Sequence, residues 1–252
     1  MNLSLRGVEH VFAGPPPVDV LDGVTFEIPA GQFVALVGPS GCGKSTLLRL
    51  AAGLLPLQQG EIWLDGAPPQ KAQAERRIAW MGQSPALLPW LNLRANVALA
   101  HRVGSGLRPA RLAPDEALAL VGLGDRADSH PFMLSGGMQQ RLALARTLSL
   151  DARLWLMDEP FAALDEMTRE RLALDLADLW QPLRPTVLWV THNIYEALRL
   201  ADRVLVFSRR PARVTADLLV PLPRPRREAD PAFQALLAKL RAGLTDALER
   251  VS

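Results

Sequence analysis

The residues best suited to chemistry form a glycine-rich run at positions 38–46, which reads Gly-Pro-Ser-Gly-Cys-Gly-Lys-Ser-Thr. Its three glycines let the backbone curl so that successive N–H groups point inward at phosphate oxygens. Lys44 supplies a point charge for the outer phosphates, and the Ser45 hydroxyl is placed to ligate Mg²⁺. The run therefore predicts that the protein binds a nucleoside triphosphate. The predicted binding residues of the loop are Gly38, Pro39, Ser40, Gly41, Cys42, Gly43, Lys44, Ser45 and Thr46.

A second chemical feature is a pair of acids at the end of an apolar run. Residues 154–157 are apolar, as in a buried strand, and Asp158 and Glu159 follow them. At the tip of a strand Asp158 can hold Mg²⁺ through water, and Glu159 can orient and deprotonate the water that attacks the terminal phosphate. The simpler interpretation is a strand end followed by a solvated turn. Because the same chain carries a phosphate-binding loop, we favour the functional interpretation.

Two polar residues follow other strand-like runs and should lie at the same sheet edge. His192 comes directly after the run 187–191, so it can hydrogen-bond the terminal phosphate and Glu159. Gln83 comes shortly after the run 78–81, where its amide can reach Mg²⁺ or the attacking water. We therefore predict a catalytic set and a metal-binding set. The catalytic set is Glu159, His192, Lys44 and Gln83, and the metal-binding set is Ser45, Gln83 and Asp158.

A further glycine-rich motif at 134–141 reads Leu-Ser-Gly-Gly-Met-Gln-Gln-Arg and precedes a long helical run. Its serine can cap that helix, and the paired glycines expose the N-terminal amides as a second anion-binding surface. One nucleotide does not need two cradles in one subunit, so two copies arranged head to tail would complete each other's sites. A plain helix cap is the alternative, and Asp165 could likewise cap the next helix or reach across a dimer interface. The predicted nucleotide-binding set includes Gln83, Ser135, Gly136, Gly137, Gln139 and Asp165.

Composition limits the class of protein. The chain has 252 residues, of which 49% are hydrophobic, and a net charge of +2. That length suffices for one large domain. No stretch approaches the ~20 apolar residues of a membrane span, and the first residues do not form a signal peptide, so we expect a cytosolic protein. The single cysteine excludes a disulfide framework and a cysteine-based metal site. The arginines clustered at 209–227 could attract nucleic acid or anionic lipid, but a solvated surface is the simpler interpretation, and we predict no nucleic-acid partner.

Strand-like runs alternate with helical segments, which predicts an α/β fold with a mostly parallel sheet covered on both faces. We expect residues 1–252 to form a single domain. Its nucleotide-binding core would comprise 1–85 and 152–220. Residues 86–151 would form a helical subdomain that carries the 134–141 motif, and 221–252 would form a C-terminal helical tail.

The order and spacing of these motifs resemble the ATP-binding subunit of ATP-binding cassette (ABC) transporters, over nearly the whole chain. The 134–141 motif is the most specific element of the resemblance. It implies a RecA-like P-loop NTPase core with an N-terminal antiparallel β subdomain and an inserted helical subdomain. It also implies ATP and Mg²⁺ as cofactors, ATP hydrolysis by a head-to-tail dimer, and an adenine ring stacked on Phe12.

A finer resemblance is to importer subunits of the nitrate, sulfonate and taurine type, through residues 87–90, 161–169 and 223–226. It implies a subunit at the cytoplasmic face of the membrane that energises transmembrane permease subunits served by an extracytoplasmic substrate-binding protein. The subunit would act as a homodimer or with a second ABC ATPase. Residues 86–90 would contact the permease, although they could simply pack the helical subdomain. A soluble cluster-assembly ATPase and an exporter ATPase subunit are the alternatives, and the transported substrate stays open.

Overall fold

The computed structural model describes residues 1–102 and 111–249, which form two β-sheets and a set of helices. The strands are β1 (Leu3–Phe12), β2 (Val18–Ile28), β3 (Phe33–Val37), β4 (Gln59–Leu64), β5 (Ile78–Met81), β6 (Leu154–Asp158), β7 (Thr186–Val190), β8 (Arg203–Phe207) and β9 (Val214–Leu219). The helices are α1 (Lys44–Ala51), α2 (Pro69–Ala74), α3 (Leu93–Arg102), α4 (Pro114–Leu120), α5 (Gly136–Leu148), α6 (Glu166–Leu183), α7 (Ile194–Leu200) and α8 (Pro231–Glu249). In the described part of the chain no helix combines the length and the apolar character that crossing a membrane requires.

The larger sheet places the carboxyl ends of its parallel strands along one edge. Its strand order is β5-β6-β7-β3-β8-β9, in which the first five strands are parallel and β9 is antiparallel to β8. Every residue of β3, β6 and β7 is buried, as expected for a parallel sheet covered on both faces. The loops that follow these strands therefore lie side by side, at the edge where α/β sheets bind ligands. The predicted α/β fold with a mostly parallel sheet is confirmed.

Alternate residues of β3 separate two hydrophobic cores. Phe33, Ala35 and Val37 face a core built with helices α3 to α8, whereas Val34 and Leu36 face a core built with α1 and the smaller sheet. In the first core Phe33 packs edge-on against Trp180, with 5.8 Å between ring centroids. Because a shift of one residue would exchange the two faces, burial on both sides fixes the register of the strand.

The smaller sheet is antiparallel, has the strand order β2-β1-β4, and fits closely against the phosphate loop. A Cβ on Gly43 of that loop would lie 2.8 Å from Cγ1 of Val20 in β2, so no larger residue fits at this position. Gly60 of β4 is similarly constrained, because a Cβ there would lie 2.3 Å from the carbonyl oxygen of Gly7. The N-terminal sheet thus fixes the loop from one side.

The helical segment between β5 and β6 contains α3, α4 and α5, with short 3₁₀ turns at Gly124–Arg126 and Pro131–Met133. The tail helix α8 packs against α7 and β8. Arg226 anchors the chain before α8: it is buried and donates hydrogen bonds to four backbone carbonyls. These carbonyls belong to Leu198, Ala201, Val220 and Leu222.

The sequence patterns did not predict two short elements, α2 and β9. Helix α2 has only six residues, which gives too few turns for a clear helical period. Strand β9 lies at the sheet edge, and its residues are partly or fully exposed. It pairs with the preceding strand β8 in an antiparallel hairpin, but its exposure leaves no apolar run that would predict a strand.

Candidate nucleotide-binding site

The loop between β3 and α1 has the backbone that a phosphate cradle requires. Gly38, Gly41 and Gly43 adopt φ values of 154°, 73° and 127°, which side-chain-bearing residues rarely adopt. A Cβ on Gly38 would also lie 2.7 Å from the carbonyl oxygen of Phe207. The loop feeds directly into α1, whose N-terminal amides carry a partial positive charge.

Lys44 is the first residue of α1, and its side chain reaches back over the loop. It is 5% exposed, and its Nζ donates hydrogen bonds to the carbonyl oxygens of Gly38 and Pro39, each at 2.8 Å. The Sγ of buried Cys42 lies 3.6 Å from the same nitrogen. These contacts hold the ammonium group over the centre of the loop, where phosphate oxygens would meet it.

Ser45 and Asp158 place two oxygen atoms that could ligate a metal ion beside the phosphate loop. The Ser45 hydroxyl donates to Oδ1 of Asp158 at 3.0 Å, and Asp158 is 2% exposed. Burial raises the pKa of Asp158, and the neighbouring charge of Glu159 adds to that increase, while the Ser45 hydrogen bond opposes it. Mg²⁺ in phosphate sites usually takes one or two protein oxygens and completes its shell with phosphates and water. A buried carboxylate beside a hydroxyl fits such an ion, because a cation would stabilise the ionised form.

Glu159 follows β6 in a left-handed backbone conformation, with φ of 48°. The Glu159 N–H donates to the carbonyl of Val190 at 2.9 Å. The side chain of Gln140 donates to the Glu159 carbonyl at 3.5 Å. Such strained residues cluster at functional sites and persist where their surroundings hold them. Oε2 of Glu159 lies 3.3 Å from Nδ1 of His192, so the carboxylate and the imidazole point at each other.

One open pocket of about 430 Å³ brings most of the predicted residues together. It is lined by Ser40, Gly41, Gly43, Lys44, Ser45, Thr46, Gln83, Glu159, His192 and Arg210. The phosphate loop, Gln83, Glu159 and His192 therefore share one cavity, and Asp158 lies beneath it through its bond to Ser45. The volume falls within the range of small-molecule sites.

The 134–141 motif lies outside the lining of that pocket. Ser135 caps α5, because its hydroxyl accepts a hydrogen bond from the Met138 N–H at 3.4 Å. The Cβ position of Gly136 is open, whereas a Cβ on Gly137 would lie 2.8 Å from the carbonyl oxygen of Ala163. The side chain of Gln139 donates to the carbonyls of Pro131 and Leu134, so its amide group holds the entry to α5.

Asp165 and Phe12 also lie away from the pocket lining. Asp165 caps α6 by accepting a hydrogen bond from the Thr168 N–H at 2.9 Å, and the hydrogen bonds from Thr168 lower the pKa of the Asp165 carboxyl. Phe12 ends β1 and is 41% exposed, with its ring edge-on to that of His10 at 4.7 Å. The cap of Asp165 is thus present, and the roles of Asp165 and Phe12 in binding nucleotide stay predictions.

Sequence reasoning missed two arginines near the site. Arg210 lines the pocket, although the sequence placed it in a cluster interpreted as solvated surface. Arg146 of α5 donates to the carbonyls of Pro85 and Ala86, which follow Gln83. The hydrogen bond of Arg210 to the Gly41 carbonyl and the hydrogen bonds of Arg146 each join segments at least 60 residues apart in the chain. No local sequence pattern predicts such contacts.

A family model described as ABC transporter matches residues 21–162. Over 238 residues the chain is 46% identical to an aliphatic sulfonates import ATP-binding protein of Pseudomonas fluorescens, covering 94% of this chain and 85% of the relative. It is 41% identical over 242 residues to a nitrate import ATP-binding protein of Synechococcus elongatus, covering 93% and 86%. It is 43% identical over 242 residues to a taurine import ATP-binding protein of Mesorhizobium japonicum, covering 92% and 91%.

The fold is similar to that of a solved ATP-binding cassette, MJ0796, in a dimeric post-hydrolysis state bound to ADP and Pi. The TM-score is 0.78 at 29% identity, and the match covers 88% of this chain and all of that one. A second dimeric structure of that cassette gives a TM-score of 0.75 at 28% identity. These likenesses confirm the RecA-like P-loop core with its antiparallel sheet and inserted helices.

Proposed function

The chain belongs to the ABC transporter family, and we propose that it is the ATP-hydrolysing subunit of an importer for a small anionic or organic nutrient. The observation that carries the ATPase part is the single pocket shared by the phosphate loop, Gln83, Glu159 and His192. The importer part rests on relatives whose names describe import of sulfonates, nitrate and taurine. None of the relatives reported above supports the cluster-assembly or exporter alternatives.

ATP would bind with its phosphates on the loop amides and on Lys44. Ser45 and Gln83 would hold Mg²⁺ directly, and Asp158 would hold it through water; the ion would neutralise phosphate charge when bound. Phe12 would stack on the adenine ring. Burial of Asp158 and Lys44 means that both groups are already positioned, so little side-chain entropy would be lost on binding.

Hydrolysis would use the carboxylate of Glu159 as a general base. A water molecule placed between Glu159 and the terminal phosphate would lose a proton to the carboxylate as its oxygen attacks phosphorus, and the bond to the ADP oxygen would break. Nδ1 of His192, at 3.3 Å from Oε2, would keep the carboxylate aimed at that water. Donors on the loop would stabilise the charge that develops on the phosphoryl oxygens.

A complete site would also need the 134–141 motif from a second copy of the chain or from a related ATPase. In the described chain this motif lies outside the pocket, and Gly136 is exposed with an open Cβ position. The exposed N-terminus of α5 could therefore meet the terminal phosphate held by another subunit. The dimeric structure of the related cassette MJ0796 supports such a pairing. ATP would hold the two subunits together, and hydrolysis would release them.

The permease would dock beside the loop that follows Gln83. Trp90 in this loop is 70% exposed. A groove of about 320 Å³ is lined in part by Leu54, which follows α1, by Trp80 of β5 and by Ala100 of α3. Arg146 ties the same loop to α5, which begins at the 134–141 motif. Movement of α5 on dimer closure would thus be transmitted to the permease, at the cytoplasmic face of the membrane. A substrate-binding protein on the other face would deliver the nutrient.

Co-purification tests this proposal. Tagged protein is isolated from detergent-solubilised membranes of the native cell, and its partners are identified by mass spectrometry. We expect a multi-span permease with the unaltered chain and with Leu219→Asp, a control at another exposed apolar residue (63% exposed). Trp90→Asp should lose the permease. A set of soluble partners with no membrane protein would contradict the importer proposal, and the identity of an associated binding protein would indicate the nutrient.

A further inference from the structure

The loop between β8 and β9 brings a second cation to the phosphate pocket. Nε of Arg210 donates a hydrogen bond to the carbonyl of Gly41, at the centre of the phosphate loop. Its guanidinium also lines the pocket together with Lys44, Glu159 and His192. A Cβ on Gly41 would lie 3.3 Å from Nη2 of Arg210, so the side chain crosses closely over the loop. Arg210 and Lys44 thus approach the same loop from different elements.

Several interactions hold this loop in place, and three of them join it to β2. The Ala212 N–H donates to the carbonyl of Val20 at 2.8 Å, and the Asp22 N–H donates to the carbonyl of Ala212 at 3.1 Å. The Arg213 guanidinium pairs with the carboxylate of Asp22. Within the loop, the Ser208 hydroxyl accepts a hydrogen bond from the Arg213 N–H at 2.9 Å. Because β2 also contacts Gly43, the loop carrying Arg210 and the phosphate loop share one support.

The charges around Arg210 favour an anionic ligand. Its neighbour Arg213 has an acidic partner in Asp22, whereas the salt bridges of the described residues give Arg210 none. A guanidinium has five N–H donors, and the bond to Gly41 uses one of them. The remaining donors form a planar fork that matches two oxygens of a phosphate. Lys44, by contrast, already spends two donors on loop carbonyls.

We propose that Arg210 is a nucleotide-binding residue: its Nε–H holds the Gly41 carbonyl, and its terminal N–H groups bind phosphate oxygens of ATP. The inference rests on the ATP-binding part of the proposed function and is independent of the importer part. The two roles reinforce each other, because the same side chain shapes the cradle and adds charge to it.

Neighbouring arginines provide a matched test. Arg209→Gln and Arg210→Gln remove the same charge at adjacent exposed positions, and only Arg210 lines the pocket. Arg210→Lys keeps the charge. The dissociation constants of ATP and ADP with Mg²⁺ are measured by calorimetry at low and high salt, with circular dichroism as the check of folding.

Arg210→Gln should weaken ATP binding about tenfold, which corresponds to about 1.4 kcal/mol. Arg210→Lys keeps the charge but lacks the planar fork, so it should recover only part of that loss. Arg209→Gln should bind like the unaltered chain, and high salt should reduce the differences in affinity between the variants. Equal affinities for Arg210→Gln and Arg209→Gln would overturn the inference, as would an affinity of Arg210→Lys equal to that of the unaltered chain, because charge alone would then account for the effect. If the unaltered chain itself failed to bind ATP, the proposed function would be wrong as well.

Discussion

Replacing Gly137 by alanine should destabilise the protein, whereas the same change at the adjacent Gly136 should not. A Cβ on Gly137 would lie 2.8 Å from the carbonyl oxygen of Ala163, and one on Gly136 would meet nothing within 4 Å. The oxygen belongs to a tight turn held by hydrogen bonds from the Ala162 N–H to Glu159 and from the Leu164 N–H to Phe161, each at 3.1 Å. That turn therefore cannot move aside without disturbing the catalytic segment.

The size of the effect follows from the contact. The start of α5 and the turn would have to separate until the new methyl group stands about 3.4 Å or more from the oxygen. Overpacking of this kind costs about 1–3 kcal/mol. Both changes replace glycine by alanine in the first turn of α5, and this gain of up to about 1 kcal/mol is common to both. The difference between Gly137→Ala and Gly136→Ala thus isolates the packing cost.

Thermal unfolding followed by circular dichroism measures that difference. For a chain of this length 1 kcal/mol corresponds to about 2–4 °C, so Gly137→Ala should unfold several degrees below Gly136→Ala. Gly136→Ala should unfold at or slightly above the temperature of the unaltered chain. Equal midpoints for the two variants would refute the close packing of Gly137 on Ala163, and with it the structural link between the 134–141 motif and Glu159.

Three further variants test other parts of the account. Glu159→Gln should bind ATP and dimerise but release phosphate about 10²–10⁴-fold more slowly, because the general base is lost; normal turnover would remove Glu159 from that role. Ser135→Arg should lose hydrolysis yet keep the ATP affinity of the monomer, and persistent hydrolysis would argue against a site shared between subunits. Arg226→Met should lower the free energy of unfolding by at least about 3 kcal/mol, because four carbonyls lose their donor and each buried one without a partner costs about 1–3 kcal/mol. An unchanged denaturant midpoint for Arg226→Met would contradict the anchoring of the tail.

Much of the site could be predicted because its residues follow strands that are buried on both faces. The runs that became β3, β6 and β7 are apolar at nearly every position, and the loops that lead to the chemistry-bearing residues come directly after them. Parallel strands bring their carboxyl ends to one edge. The meeting of Lys44, Glu159 and His192 in one pocket therefore follows from local patterns and one topological rule.

What the sequence could not predict depends on contacts between distant segments. Arg210 reaches the phosphate loop only because β9 turns back on β8 and the connecting loop bonds to β2. From sequence it was one arginine among several, and a solvated surface was the simpler interpretation. For Ser135 and Asp165 the sequence left two roles open, a helix cap and a contact with a second subunit. It could not choose between them, because a side chain that caps its own helix can also face a second subunit.

The central claim is that each ATP site uses the phosphate loop and Glu159 of one subunit and the 134–141 motif of another. Mixing two inactive variants, Glu159→Gln and Ser135→Arg, before adding ATP tests it most directly. In a mixed dimer one site would combine the intact loop and Glu159 of one chain with the intact Ser135 of the other. If pairing is random, phosphate release should recover to about a quarter of the unaltered rate, since half of the dimers would be mixed and each would carry one intact site. A mixture as inactive as its two components would contradict the shared site.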